Sequence, residues 1–219
     1  MDSVDSTSIA YRDESLQTAP SKTLDKAIRT SLTAEVITSL WQKWYAAFKQ
    51  ILPIYIAIHL AFVVTSGLSF LFTMRDFSAQ SIPLHQIWDS WHHWDTGHYL
   101  WIATHGYTEA WRTAFFPLYP LLESVLMHIT GDPFTAGLLI SDIAGLLMLV
   151  VLYQLVLEDF DAERAWRTVL YLSIFPTAFF FAAAYNEALF MCFIVTSFYA
   201  MRHGRWWWAG LFGLVASCH

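Results

Sequence analysis

Long uncharged apolar runs alternate with short polar stretches along most of this chain. No Asp, Glu, Lys or Arg occurs from position 50 to 74, which is long enough to cross a bilayer core that needs about 20 residues. Further apolar runs cover 133–157, 168–186, 188–201 and 206–218, and only the first of these contains a charge, Asp142. A helix that is apolar on all sides is buried or lies in a membrane. The pattern therefore predicts an all-α, polytopic transmembrane bundle with about five spans.

The beginning of the chain has a different composition. Ser, Thr and Asp dominate residues 1–32, which predicts a disordered polar tail on the cytosolic side. Within residues 33–49, apolar side chains recur at helical spacing from Val36 to Phe48, which is typical of an amphipathic helix in the headgroup layer. A simple extension of the first span explains the same residues equally well. The remaining segment, 50–219, is the predicted transmembrane domain.

The cationic residues orient the runs. Segment 114–130 is apolar but contains two prolines and Glu123. If this segment does not cross the membrane, the lysines before the first run and the arginines after the second and fourth runs share one side, as the positive-inside rule prefers. We therefore expect 114–130 to be a re-entrant or interfacial helix. The loop 75–132 then lies on the non-cytosolic face, and the turn Tyr185–Glu187 emerges on that face too.

The most informative part of the loop is the segment 88–99, which contains three Trp, two Asp and three His. Aromatic side chains with a polar edge favour the boundary between hydrocarbon and water, whereas carboxylates avoid lipid unless they are paired or face a wet cavity. The segment thus predicts the floor of an active site at the membrane surface. Asp89 and Asp95 are its two acids, and Glu187 can reach the same layer unless it is merely solvated at the end of a span.

Acids and aromatic rings at this boundary suit an enzyme whose substrate is part lipid. A sugar on a polyprenyl phosphate is one candidate among several. It carries an activated leaving group, so an enzyme that uses it needs no nucleotide-binding glycine loop, and the sequence has none. One general base must take the proton of the acceptor hydroxyl, and cationic groups can stabilise the departing phosphate. The residues available for the phosphate are His92, His93, His98 and Arg112.

Other classes of function fit the sequence less well. No basic block indicates nucleic acid, and the two cysteines, both in apolar runs, indicate neither a disulfide framework nor a thiolate metal site. His92, Asp95 and His98 share a helix face, but their spacing fits the zinc pattern poorly. We therefore predict no metal and no cofactor, with a divalent cation as the open alternative. A transporter would call for internal repeats, and the sequence shows none.

Three blocks of the sequence, within roughly residues 85–215, resemble the signature of the second GPI mannosyltransferase family and its bacterial relatives. The blocks are Trp94-Asp95-x-x-His98-Tyr99-x-x-Ile102-Ala103-x-x-Gly106-Tyr107, then Ala114-Phe115-Phe116-Pro117-Leu118-Tyr119-Pro120-Leu121-Leu122, then Phe175-Pro176-Thr177-Ala178-Phe179-Phe180-Phe181-x-x-x-Tyr185-Asn186-Glu187-Ala188-Leu189-Phe190.

The resemblance implies a membrane glycosyltransferase of the GT-C type. Such an enzyme takes mannose from polyprenyl or dolichyl phosphate on the non-cytosolic face and passes it to a lipid-linked or glycan acceptor. An aspartate of the first loop is the presumed base, and the Trp-Asp-x-x-His-Tyr pattern gives that role to Asp95 instead of Asp89. The candidate substrate-binding residues are Trp94, His98, Tyr99, Arg112, Phe116, Tyr119, Tyr185 and Glu187.

The resemblance also implies that this chain is an N-terminal fragment, because family members are longer and have more spans. We expect the 219-residue chain to insert into a membrane without transferring sugar by itself. The expected location is the bacterial plasma membrane, or the endoplasmic reticulum membrane in a eukaryote. The alternatives are a transferase for another polyprenyl-phosphate sugar, a catalytically inactive membrane subunit and a transporter.

Overall fold

A computed structural model describes residues 22–73 and 91–218. Within these ranges the chain forms helices joined by turns, as the all-α prediction requires. The helices are α1 (Lys22–Thr73), α2 (Thr96–His105), α3 (Leu118–Thr130), α4 (Pro133–Asp159), α5 (Ala162–Ile174), α6 (Glu187–Arg202) and α7 (Trp206–Ala216), and two short 3-10 helices cover Ala110–Ala114 and Pro176–Phe181.

The chain divides into two compact units, Met1–Lys43 and Trp44–His219. In the first unit, α1 begins at Lys22, inside the segment that the composition predicts to be a disordered tail. Good helix formers such as Lys, Leu and Ala dominate its first turns. The predicted boundaries at residues 32 and 49 therefore do not mark helix ends, and residues 33–49 belong to the same helix as the first run. Their place in the headgroup layer stays a prediction.

Within the described residues, two helices are long and apolar enough to cross a bilayer. They are the part of α1 from Ile37 to Ser69 and the whole of α4. The other apolar helices are shorter than the roughly 20 residues that a crossing needs, since α6 has 16 residues and α7 has 11. These two helices support a membrane protein, and the five spans stay a prediction.

The sequence predicts a single span over the run 168–186, but the helix in this run is interrupted. Helix α5 ends at Ile174 because Phe175 precedes Pro176, and Phe175 adopts φ −63° and ψ 139°. The residue before a proline is pushed out of the helical region by the proline ring. A 3-10 helix follows at Pro176–Phe181, and residues 182–185 then form a buried turn before α6. Apolar composition alone does not predict this interruption of the helix.

Segment 114–130 folds back onto α4. Helix α3 ends at Gly131, whose φ of 77° lets its N–H bond to the Met127 carbonyl at 2.8 Å. Asp132 then begins α4, and its side chain accepts a hydrogen bond of 2.7 Å from the Thr135 N–H. With 13 residues, α3 is too short to cross a bilayer. Its length agrees with a segment that does not cross, while its re-entrant placement stays a prediction.

Helix α4 lies at the centre of the second unit, where it packs against α3, α5 and α6. Asp142, the charge inside its apolar run, contacts α1. The Asp142 Oδ1 lies 3.1 Å from the His59 Nε2, and the Tyr55 hydroxyl donates to the Asp142 carbonyl at 2.7 Å. A polar residue within a span is expected to have such partners. The partner of Asp142 is therefore found within this chain.

Candidate active site

Asp95 stands in an exposed turn at the N-terminus of α2. It occupies the N-cap position, but its side chain makes no capping hydrogen bond, so the carboxylate is not used to satisfy the helix. Aligned peptide dipoles make a helix N-terminus a favourable place for negative charge. Trp94, the preceding residue, has a φ of 47°, which a bulky side chain rarely adopts. Such strained conformations concentrate at functional sites.

The turn is tied to the buried segment before α6. The Tyr185 hydroxyl donates to the His93 carbonyl at 2.7 Å, and the Thr96 hydroxyl donates to the Ala184 carbonyl at 3.3 Å. On its other side this segment is held by α4, because the Ser141 hydroxyl donates to the Tyr185 carbonyl at 2.8 Å. These bonds fix the position of Asp95 relative to α4 and α6.

Two further tyrosines of the predicted site are buried behind Asp95. The Tyr119 hydroxyl lies 3.0 Å from the Gly137 carbonyl, to which it donates, and 2.9 Å from the Ser141 hydroxyl. Tyr99 meets Tyr119 edge to face, with ring centroids 5.0 Å apart. Since both rings are buried, they act in this structure as supports of the turn.

Three carboxyl groups act electrostatically on Tyr99. Burial raises the pKa of Tyr99, and the charges of Glu187, Asp95 and Glu123 raise it further. Burial is also the main reason why the pKa of Glu187 is raised; its own backbone N–H opposes the shift and the nearby Asp95 adds to it. The structure therefore brings Glu187 into electrostatic range of Asp95, as the topology predicts.

Arg112 and His98 form a second group beside the turn. The Arg112 guanidinium lies between two indole rings, 4.8 Å from the centroid of Trp101 and 4.5 Å from that of Trp111. Its Nε donates to Glu109 at 3.0 Å, and its Nη1 lies 3.3 Å from the Nδ1 of His98. Stacking on aromatic faces and ion pairing together hold the guanidinium in one orientation.

Phe115 joins the two groups. Its ring centroid lies 4.9 Å from that of His98 and 5.3 Å from that of Tyr99. The predicted site residues are thus largely brought together on one side of the second unit. Phe116 is exposed and takes no part in the contacts described above.

A cleft of about 650 Å³ opens beside Trp94, within the range that small-molecule sites occupy. The part of α1 near its end forms one wall, and the turn before α2 together with the segment around Phe179 forms the other. The lining residues are Phe62, Thr65, Ser66, Ser69, Trp91, His93, Trp94, Pro176, Phe179, Ala183 and Tyr185. The walls are mostly apolar.

Sequence reasoning missed the supports of this site. Thr96 and Ser141 are small polar residues in apolar surroundings and give no signal of their own. Glu123 does give a signal in the sequence, because it is the single Asp, Glu, Lys or Arg in segment 114–130. Asp89, the alternative acid, lies outside the described residues. Among the described residues, no three His, Cys, Asp or Glu side chains are grouped to hold a metal ion, and the absence of a cofactor stays a prediction.

Comparisons with known proteins show the family of the chain. A family model described as Mannosyltransferase (PIG-V) matches residues 45–218. The GPI alpha-1,6-mannosyltransferase 2 of Mus musculus is 32% identical over 135 residues, which are 57% of this chain and 27% of the mouse protein. The GPI mannosyltransferase 2 of Drosophila pseudoobscura pseudoobscura is 34% identical over 112 residues, 45% of this chain and 24% of the fly protein.

The human GPI alpha-1,6-mannosyltransferase 2 is 29% identical over 126 residues, 52% of this chain and 26% of the human protein. The matched region therefore spans about a quarter of the length of these relatives. No solved structure matches the chain.

Proposed function

Because this chain belongs to the mannosyltransferase (PIG-V) family, we propose that it forms part of an integral membrane mannosyltransferase whose general base is Asp95. The observation that carries the proposal is the exposed carboxylate of Asp95 at the N-terminus of α2, free of any capping role. Its charge raises the pKa of Glu187, and the neighbouring residues His93 and Trp94 line a mostly apolar cleft. The donor is mannose on a polyprenyl or dolichyl phosphate. The acceptor is a lipid-linked glycan, and the names of the relatives favour a GPI glycolipid.

The proposed reaction is a single displacement. The acceptor hydroxyl oxygen forms a bond to the anomeric carbon of mannose, and the bond from that carbon to the phosphate oxygen breaks. The phosphate leaves with the bonding electrons, while Asp95 takes the hydroxyl proton. The configuration at the anomeric carbon is inverted, because the new bond forms on the face opposite the leaving group.

Arg112 and His98 meet the negative charge that develops on the departing phosphate. The two indoles beside Arg112 hold its guanidinium in place, so little reorganisation is needed as the charge develops. His98 lies against the same guanidinium. The positive charge of Arg112 thus lies next to the turn that holds Asp95, and the His98 ring lies beside it.

Glu187 is proposed to orient the acceptor hydroxyl toward Asp95. One of its carboxyl oxygens is buried without a hydrogen-bond partner among the described residues, so a hydroxyl that enters the site would satisfy it. The partial burial of Glu187 raises its pKa. Asp95, which is exposed, remains the proposed base.

The cleft beside Trp94 is proposed to hold the first part of the lipid-linked donor. Its apolar walls suit isoprene units, and Trp94, which is 70% exposed, offers an indole face to the sugar. The proposed topology places the 75–132 loop on the non-cytosolic face and includes about five spans in this chain. The proposed location is the plasma membrane of a bacterium or the endoplasmic reticulum membrane of a eukaryote.

Replacing Trp94 by Ala tests the proposed use of the cleft. We expect Trp94→Ala to weaken binding of polyprenyl-phosphate mannose by about tenfold, which corresponds to about 1.4 kcal/mol, because the indole contact is lost. The measurement is equilibrium binding of radiolabelled donor to the chain in lipid vesicles. Trp207→Ala is the matched control, since Trp207 is 93% exposed on α7 and does not line the cleft. Equal affinity of the two variants would contradict the proposed donor site.

A further inference from the structure

Glu123 is a buried acid that the proposed reaction does not use. It lies on α3, which is too short to cross a bilayer, and its exposed fraction is 0%. Neither of its carboxyl oxygens has a hydrogen-bond partner among the described residues. A buried carboxylate is strongly unfavourable unless a cation or hydrogen-bond donors compensate it. The uncharged acid is therefore the form that suits this position.

The carboxyl group fits into a notch on α4. A Cβ atom at Gly137 would overlap the Oε1 of Glu123, and it would lie 3.1 Å from the Cβ of Ala184 and 3.3 Å from the hydroxyl of Tyr119. Helix α3 approaches α4 this closely because position 137 carries no side chain. Glu123 thus fills the space between α3, α4 and the buried segment that carries Ala184.

The groups that face Glu123 are acids or neutral. The charge of an ionised Glu123 raises the pKa of Tyr119 on its own helix and that of Tyr99 on α2. The charge of Glu187 on α6 raises the pKa of the same two tyrosines, and the charge of Asp95 raises the pKa of Tyr99. Helix α4 contributes Gly137 and Ser141, which do not titrate, and no Lys or Arg belongs to this group of neighbours. An ionised Glu123 would add a third negative charge behind Asp95 and Glu187.

We propose that Glu123 is a positioning residue of the active site that works as an uncharged carboxylic acid. Packed into the notch at Gly137, it holds α3 against α4 and against the segment that anchors the Asp95 turn. Asp95 and Glu187 then remain the ionisable acids that meet the substrate. The effect on transfer rests on the proposed function, whereas the protonation state of Glu123 does not.

The expected pH dependence has a definite sign. Burial raises the pKa of Glu123 from its ordinary value of 4.5 to about 9. A carboxyl whose pKa is raised by folding stabilises the folded state fully below pH 4.5, and this stabilisation is lost as the pH rises through about 9. Glu123 is therefore uncharged at pH 7, and alkaline conditions should loosen the packing of α3.

Infrared spectroscopy on this chain in lipid vesicles tests the protonation state directly. We expect a C=O stretching band of a protonated carboxylic acid at pH 7 that disappears with a midpoint near pH 9. The band should be missing in Glu123→Gln. The control Glu163→Gln, at an exposed residue that pairs with Arg167 on α5, should keep it. If the wild-type band is missing at pH 7, or is unchanged in Glu123→Gln, the proposal is wrong; the wild-type titration needs no variant to fold.

Transfer by the full-length protein tests the positioning role. Glu123→Ala, which empties the notch, should lower transfer at pH 7 by about tenfold or more, whereas Glu123→Gln, whose amide has the same shape without charge, should restore transfer to within about twofold of wild type. Glu123→Gln should also remove the decline of transfer that we expect of the wild type as the pH rises through about 9. A hundredfold loss at pH 7 in a folded Glu123→Gln protein would overturn the role. If the infrared result holds but no mannose transfer occurs in any variant, the proposed function fails and the assignment of Glu123 as a neutral acid stands.

Discussion

Replacing Asp95 by Asn should reduce mannosyl transfer by the full-length protein by about 10²–10⁴-fold, the range typical of losing a general base. An amide cannot accept the proton of the acceptor hydroxyl. The side chain makes no capping hydrogen bond, so the exchange should leave folding and membrane insertion unchanged. The measurement compares initial rates of transfer at saturating donor, with insertion checked by resistance to alkaline extraction.

The control for this substitution is Asp161→Asn, at an aspartate that caps α5 through the Arg164 N–H and lies on the predicted cytosolic side. Asp161→Asn should retain transfer within about twofold. The competing acid is Asp89. Near-normal transfer by Asp95→Asn, together with loss of transfer in Asp89→Asn, would show that the general base has been assigned to the wrong carboxylate.

Cysteine labelling should separate the loops that are accessible from the non-cytosolic side from the loops that are not. In a background with Cys192→Ser and Cys218→Ser, the single substitutions Thr108→Cys and Asn186→Cys should react with an impermeant thiol reagent added on the non-cytosolic side. Ala162→Cys should react only after the membrane is permeabilised. The reason is the predicted topology, in which the positive-inside rule keeps segment 114–130 from crossing the bilayer while the run 133–157 crosses it.

The decisive position in that experiment is 162. If it is labelled from the non-cytosolic side, segment 114–130 crosses the membrane or the N-terminus is exported, and the positive-inside argument fails. If positions 108 and 186 are labelled from opposite sides, Asp95 and Glu187 do not share a compartment. That second result is incompatible with the structure, because the charge of Asp95 raises the pKa of Glu187.

Hydropathy predicts helices well where an apolar run is bounded by polar residues. The run 133–157 corresponds to α4, Pro133–Asp159, and the run 188–201 corresponds to α6, Glu187–Arg202. The run 168–186 shows where this reasoning stops. Its apolar residues continue across Pro176, but the backbone at Phe175 cannot stay helical. The proline was readable in the sequence, whereas the buried turn that follows it depends on tertiary contacts.

The site shows the same division between local and tertiary information. The charge pattern alone places Asp95 and Glu187 on one face, and the sequence block around Asp95 and His98 marks the turn. One hydrogen bond joins Tyr119 to Ser141, and another joins Ser141 to the Tyr185 carbonyl of the buried segment. Both join residues that are far apart in the chain. The burial of Glu123 depends on how closely α3 approaches Gly137. No local pattern encodes such an approach, so these supports could not be predicted.

Transfer of radiolabelled mannose by the full-length protein in lipid vesicles tests the proposed function most directly. The reaction is run with polyprenyl-phosphate mannose, with GDP-mannose and with polyprenyl-phosphate glucose as separate donors. We expect product from polyprenyl-phosphate mannose only, with inverted configuration at the anomeric carbon and with loss of product in Asp95→Asn. Transfer from GDP-mannose without a lipid donor, or undiminished transfer by Asp95→Asn, would contradict the proposed enzyme.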